Sequence, residues 1–195
     1  MNRTLKAIQL GKQLRVIGFD DAPFEKQRGT PVNLAGVVCS DTRFEGMLWG
    51  EVEKDGLDST QQLNQMISQS KFNDQLHAVL LDGLAFGGFN IVNLPLLADT
   101  LQIPCIAVMR KAPDLDAIHS ALSNFDDSEN RIRLLQSAGP VQECNGFVFQ
   151  CMGMDPDPAA TLLQRVTDTG NVPEPLRLAH LIGAAVKTGQ SGNRA

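Results

Sequence analysis

The chain has 195 residues, a formal net charge of −5, and 43% hydrophobic and 20% charged residues. That length suits one domain able to bury a core. The balance excludes a disordered chain and a broadly basic nucleic-acid coat, leaving room only for a local basic strip. The four cysteines, Cys39, Cys105, Cys144 and Cys151, are widely spaced and form no Cys-x-x-Cys pair, which argues against zinc, a redox dithiol or a disulfide framework and for a reduced setting. No segment has the apolar core of a signal peptide or the roughly 18 apolar residues of a membrane span, so a soluble, cytoplasmic protein without membrane contact is expected.

Residues 1–13 are polar and mildly basic. They are expected as a loose arm or a short strand ahead of a single domain over 14–188, with 189–195 a small, polar, flexible tail. The first convincing strand is Leu14-Arg15-Val16-Ile17-Gly18-Phe19, which runs into Asp20-Asp21. Pro23, Gly29 and Pro31 punctuate an ordered loop. Residues 32–40 and 44–52 are predicted as a strand hairpin turning through Asp41-Thr42-Arg43. Leu63, Met66 and Ile67 fall at helical spacing behind Asp58 or Ser59, either of which is placed to accept the free N–H groups of the first turn. Ala78-Val79-Leu80-Leu81 is wholly apolar, as in a central strand buried on both faces. It ends in Asp82 ahead of Gly83, Gly87 and Gly88. A helix over 92–101 leads to an apolar strand over 103–109 that ends in Arg110-Lys111. Helices over 114–125 and 130–137, a strand over 147–152, a helix over 159–166 opened by Asp155-Pro156, and a last helix starting near Pro173 complete the order. Three leading strands followed by strand-helix-strand crossovers predict an α/β fold: a ribonuclease H-like mixed sheet flanked by helices on both faces.

In that layout the strands ending in Asp20 and Asp82 lie side by side, and both carboxylates stand at the rim where α/β sheets collect their chemistry. Two close carboxylates share a proton or hold a cation. Mg²⁺ (or Mn²⁺) suits such a pair, because it takes one or two carboxylates and completes its shell with water and phosphate oxygens. His180 on the final helix is a candidate third ligand or proton carrier. Asp58 is an auxiliary candidate, with capping its ordinary role, as for Asp55. Arg110 and Lys111 are candidates to hold phosphate. Gly83, Gly87 and Gly88 let the backbone come close to a substrate. The glycines match neither Gly-x-Gly-x-x-Gly nor a phosphate-binding loop with its lysine. His77 and His119 have no partner at metal spacing and are expected at the surface.

Four blocks then carry a family resemblance. Gly18-Phe19-Asp20-Asp21-Ala22-Pro23-Phe24, Asp55-Gly56-Leu57-Asp58-Ser59-Thr60, Leu81-Asp82-Gly83 with Phe86-Gly87-Gly88-Phe89-Asn90, and Pro173-Glu174-Pro175-Leu176-Arg177-Leu178-Ala179-His180 together resemble domain-of-unknown-function family 99. That family is similar to endonuclease V, which cuts nucleic acid near deaminated adenine with magnesium on a ribonuclease H-like fold. By this resemblance Asp20 and Asp82 match the two metal-binding aspartates. Arg110, ending Pro104-Cys105-Ile106-Ala107-Val108-Met109-Arg110, stands where that family has lysine, and His180 matches its late histidine. The chain departs from the pattern at Thr60-Gln61, where endonuclease V has a catalytic glutamate and Asp58 is the nearest acid. It also has no tyrosine with which to build the strand-separating wedge.

The resemblance implies a Mg²⁺-dependent phosphodiesterase or endonuclease acting on RNA or DNA, with Asp20, Asp82, His180 and Asp58 in the catalytic set. The alternative is a non-catalytic relative that retains the fold and acidic pocket and binds nucleic acid, a nucleotide or another partner.

Overall fold

The computed structural model describes residues 3–192. Seven strands form one mixed sheet: β1 (Arg15–Asp21), β2 (Pro31–Ser40), β3 (Arg43–Glu53), β4 (Ala78–Asp82), β7 (Cys105–Met109), β8 (Gln142–Cys144) and β9 (Phe147–Met152). A separate two-strand hairpin, β5 (Ala85–Phe86) and β6 (Asn90–Ile91), lies in the glycine cluster. The order across the large sheet is β3-β2-β1-β4-β7-β9-β8. The β1–β4 and β4–β7 pairs are parallel and all the others antiparallel. Helices α1 (Arg3–Gln9), α2 (Ser59–Ser68), α3 (Leu94–Leu101), α4 (Leu115–Leu122), α5 (Ser128–Ser137), α6 (Pro156–Arg165) and α7 (Glu174–Thr188) complete the chain. The α/β mixed sheet with helices on both faces is as expected.

Strand alternation divides the core. Ile17, Phe19, Val79, Leu81, Cys105 and Ala107 point to one face and meet Leu63 and Ile67 of α2, Leu94 and Leu97 of α3 and Leu135 of α5. Val16, Leu80, Ile106 and Val108 point to the other and meet Ala7 of α1, Leu162 and Leu163 of α6 and Leu176 of α7. Helix α7 also crosses β2, where Ala179 joins Ala35, Val37 and Cys39. Its approach depends on Gly18, because a Cβ there would sit 2.8 Å from the backbone of Pro175. Gly18→Ala should therefore destabilise the fold by about 1–3 kcal/mol, as overpacking does. Urea unfolding measures that cost, and a free energy unchanged from wild type would mean that α7 does not bear on β1.

Several local expectations need correction. Residues 3–9 form α1 rather than a loose arm or strand. Thr4 is fully buried and its hydroxyl donates to the carbonyl of His77 at 2.5 Å. His77 is itself half-buried rather than superficial, with Nδ1 accepting from the N–H of Arg15 at 3.0 Å. Burial, with Arg3 nearby, holds its pKa below the usual histidine value. Neither Asp58 nor Ser59 caps α2 through its side chain; the N–H of Ser59 donates to Oδ1 of Asn90 at 3.0 Å. The expected tail ends in residues 193–195, which lie outside the described residues. Among the described residues no helix is long and apolar enough to cross a membrane.

Candidate active site

Parallel pairing of β1 with β4 sets Phe19 beside Leu81, so the next residues, Asp20 and Asp82, end adjacent strands at one rim. Both follow the alternation of Gly18 and Leu80 and face α7. Helix α7 brings His180 to the same place: its Nδ1 shares a 2.8 Å hydrogen bond with Oδ2 of Asp20, while Oδ1 of Asp20 accepts from the N–H of Asp21 at 2.8 Å. Asp20 is 6% exposed. Burial, followed by the negative charges of Asp82 and Asp21, pushes its carboxyl up to about 7 against the smaller opposing effect of His180. Burial also raises Asp82, with Arg110 and then His180 pulling the other way.

Asp21, unassigned from the sequence alone, belongs to this cluster electrostatically but points to the opposite face. Burial raises it, the N–H of Gly87 opposes that, and Asp82 reinforces it. Its Oδ2 accepts from the N–H of Gly87 at 2.6 Å, which ties the β5–β6 hairpin to the end of β1. Strand alternation was the signal that could have separated the roles of Asp20 and Asp21.

The remaining candidates fall into two groups. Arg110 is close enough to bias Asp82, and Lys111 follows it on the exposed rim. Gly83 borders open space, with nothing within 4 Å of where a Cβ would be. Gly87 and Gly88, by contrast, turn inward. Both have positive φ, and Cβ atoms on them would meet Val32 and Oδ1 of Asp55. Asp58 serves the loop before α2, its Oδ1 accepting from the N–H of Glu53 at 3.1 Å and from Nδ2 of Asn90 at 2.6 Å. Asp55 likewise accepts from the N–H of Phe89 at 2.9 Å and pairs with Lys54.

A hub beside this hairpin was missed from the sequence. Arg131 of α5 is 1% exposed, and its guanidinium donates to the carbonyls of Asp55, Gly56 and Phe89 and to Oδ1 of Asp127. It also lies 4.4 Å from the ring centre of Phe125. Its spacing with Leu134 and Leu135, i+3 and i+4, was the available hint that it faces inward.

Among the described residues no group of three or more His, Cys, Asp or Glu side chains stands ready to enclose a metal ion, so a closed protein cage of the structural-zinc kind is not formed. A two-carboxylate rim fits a hard divalent ion that keeps most of its water. Buried Asp20 and half-buried Asp82, which repels it, supply that negative charge.

The strand order and the paired β1 and β4 ends define a ribonuclease H-like domain of the endonuclease V architecture. Residues 12–187 match the family described as endonuclease dU, and the chain belongs to that family. The resemblance drawn from the four motif blocks finds its family under this description. A UPF0215 protein of Pyrococcus horikoshii is 42% identical over 185 residues, covering 92% of this chain and 95% of its own. The crystal structure of a protein of unknown function from Archaeoglobus fulgidus superposes with a TM-score of 0.83 at 33% identity, over 89% of this chain and 98% of that one. Endonuclease V of Ciona intestinalis, crystallised with DNA containing an inosine followed by a ribo-adenosine, gives a TM-score of 0.57 at 18% identity, over 87% and 84%. This last likeness is one of fold.

Proposed function

We propose that the chain is a divalent-metal-dependent endonuclease that hydrolyses a phosphodiester bond of DNA or RNA beside a deaminated base. The observation that carries this reading is the pair of buried Asp20 and half-buried Asp82 at the ends of adjacent strands, short of compensating positive charge. Family membership and the endonuclease V fold support it. The family description names dU and the Ciona protein was crystallised with inosine-containing DNA, so uracil- and hypoxanthine-containing strands are the substrates to try.

In this reading Asp20 and Asp82 hold Mg²⁺ or Mn²⁺, which when bound supplies Lewis-acid polarisation of the phosphodiester. His180 fixes the orientation of Asp20 through Nδ1, which leaves Nε2 to pass a proton rather than to ligate the ion that Asp20 holds. Arg110 and Lys111 draw the phosphate to the rim, and Gly83 lets the backbone of the strand approach. Asp58 acts on the loop rather than on the substrate.

A non-catalytic nucleic-acid-, nucleotide- or partner-binding relative is the second reading. It is favoured by the first turn of α2, where endonuclease V has its glutamate. Here that turn holds no acid, and Thr60 accepts from the N–H of Asn93. Calorimetric titration with Mg²⁺ and Mn²⁺ should show binding to the wild type that Asp82→Asn loses. Oligonucleotides containing deoxyuridine or inosine should be cut only with metal present. Metal binding without cleavage of any DNA or RNA would favour the second reading, and no metal binding at all would remove the first.

A further inference from the structure

A cavity of about 740 Å³ opens where the chain leaves the acidic rim, bounded by Gly83, which follows Asp82, and Met109, which precedes Arg110. Phe89, Ile118 and Leu135 give it apolar walls, and its size is that of a small-molecule site. It lies on the α3 and α5 side of the sheet, since Gln150 pairs with Ala107. The side chains of Asp20 and Asp82 face the other side, so Gly83 forms a low sill between the two. A strand whose phosphate rests on the acidic side can turn one base over this sill into the cavity, in the way that enzymes acting on bases take them out of the stack.

The walls carry one deep polar group. Gln150 stands alone in the apolar strand β9 and is 6% exposed. Its Nε2 donates to the carbonyl of Gly139 at 2.5 Å. A carbonyl can only accept, so this bond fixes which end of the amide is nitrogen. Oε1 is left as a committed acceptor with no hydrogen bond to another described residue, on a side chain that lines the cavity.

We propose that Gln150 is a specificity-determining residue that reads the flipped base, an inference that rests on the endonuclease reading above. Deamination reverses one position on the base edge: N3 of cytosine and N1 of adenine are acceptors, whereas N3 of uracil and N1 of hypoxanthine carry hydrogen. Oε1 of Gln150 bonds that new N–H and repels the lone pair of the parent base. The shared feature is a ring N–H beside a carbonyl, so uracil and hypoxanthine both qualify. Thymine and guanine carry the same N–H. Their rejection falls to cavity shape and to the greater cost of unstacking a correctly paired base.

The test uses the whole protein with Mg²⁺ and oligonucleotides containing a single deoxyuridine, N3-methyldeoxyuridine, deoxycytidine, deoxyinosine or deoxyadenosine. Wild type should cut at deoxyuridine and deoxyinosine and lose about 10- to 100-fold at N3-methyldeoxyuridine, the cost of a buried acceptor left unpaired. Gln150→Leu should lose a similar factor at deoxyuridine and deoxyinosine but not at the parent bases, so the discrimination ratio narrows, which a purely structural role would not cause. Equal cleavage of the methylated and unmethylated base by wild type, or an unchanged ratio in Gln150→Leu, would overturn the proposal while leaving the nuclease intact. Should wild type cut nothing, the endonuclease reading fails separately. Fluorescence anisotropy with the same five oligonucleotides then decides the role of Gln150, and binding that ignores the methyl group rejects it.

Discussion

At pH 8, Asp20→Asn is expected to melt higher than the wild type and to cut nothing. The folded chain holds the Asp20 proton more tightly than the unfolded chain does, with the pKa raised from 3.8 to about 7 chiefly by burial and then by Asp82 and Asp21. Between those values the folded state binds more protons. Stability is therefore greatest below the lower value and is lost as pH rises through the higher one. Asparagine keeps an oxygen for the N–H of Asp21 and an N–H for His180, yet carries no charge. The variant should match the wild type near pH 4 and exceed it above pH 7 by on the order of 2–4 kcal/mol, roughly 5–10 °C in melting temperature. Calorimetry at the two pH values checks this, and a gap of equal size at both would reject the electrostatic origin. Excess Mg²⁺ at pH 8 should raise the wild-type transition and leave the variant unmoved. Cleavage should fall by more than the roughly 10- to 100-fold that an outer partner of a metal site costs.

Arg131→Ala should be the most damaging single substitution away from the rim. It leaves the carbonyls of Asp55, Gly56 and Phe89 without the donor that now satisfies them, and removes the cation over Phe125. Breaking a buried charged hub of this kind costs about 3–5 kcal/mol. Arg131→Lys should recover little, because an ammonium cannot spread donors across three carbonyls as the planar fork does. Denaturant midpoints of the two variants provide the measurement. A lysine variant as stable as wild type would show that charge alone, and not the fork, is required.

The parts of the fold legible in sequence were those whose signal is local. The apolar runs ending in Phe19 and Leu81 and the run through Val108 are strands buried on both faces, and nothing else accommodates them. From their order the junction of Asp20 and Asp82 followed. Helix α1 was not legible because only Thr4 and Ala7 are buried, and a hydrogen bond to His77, far along the chain, helps to hold it. The start of α2 was placed correctly but its cap was not, since Asn90 reaches in from β6 and outcompetes the neighbouring Asp58. Gln150 had a signal in its solitary polarity within Phe147-Val148-Phe149-Gln150-Cys151-Met152. Without knowing that α4 and α5 enclose a cavity, however, that polarity says nothing about a ligand.

The parallel contact between β1 and β4 has a kinetic consequence. The β2–β3 hairpin and all of α2 intervene between them, so closing this pair must wait on a long loop, whereas the antiparallel β1–β2–β3 meander forms from near neighbours. A chain that has built only the meander already presents Asp20 beside Asp21, but lacks the stronger repulsion that Asp82 adds. Asp20 and Asp82 therefore come to stand side by side only at the step that completes the middle of the sheet.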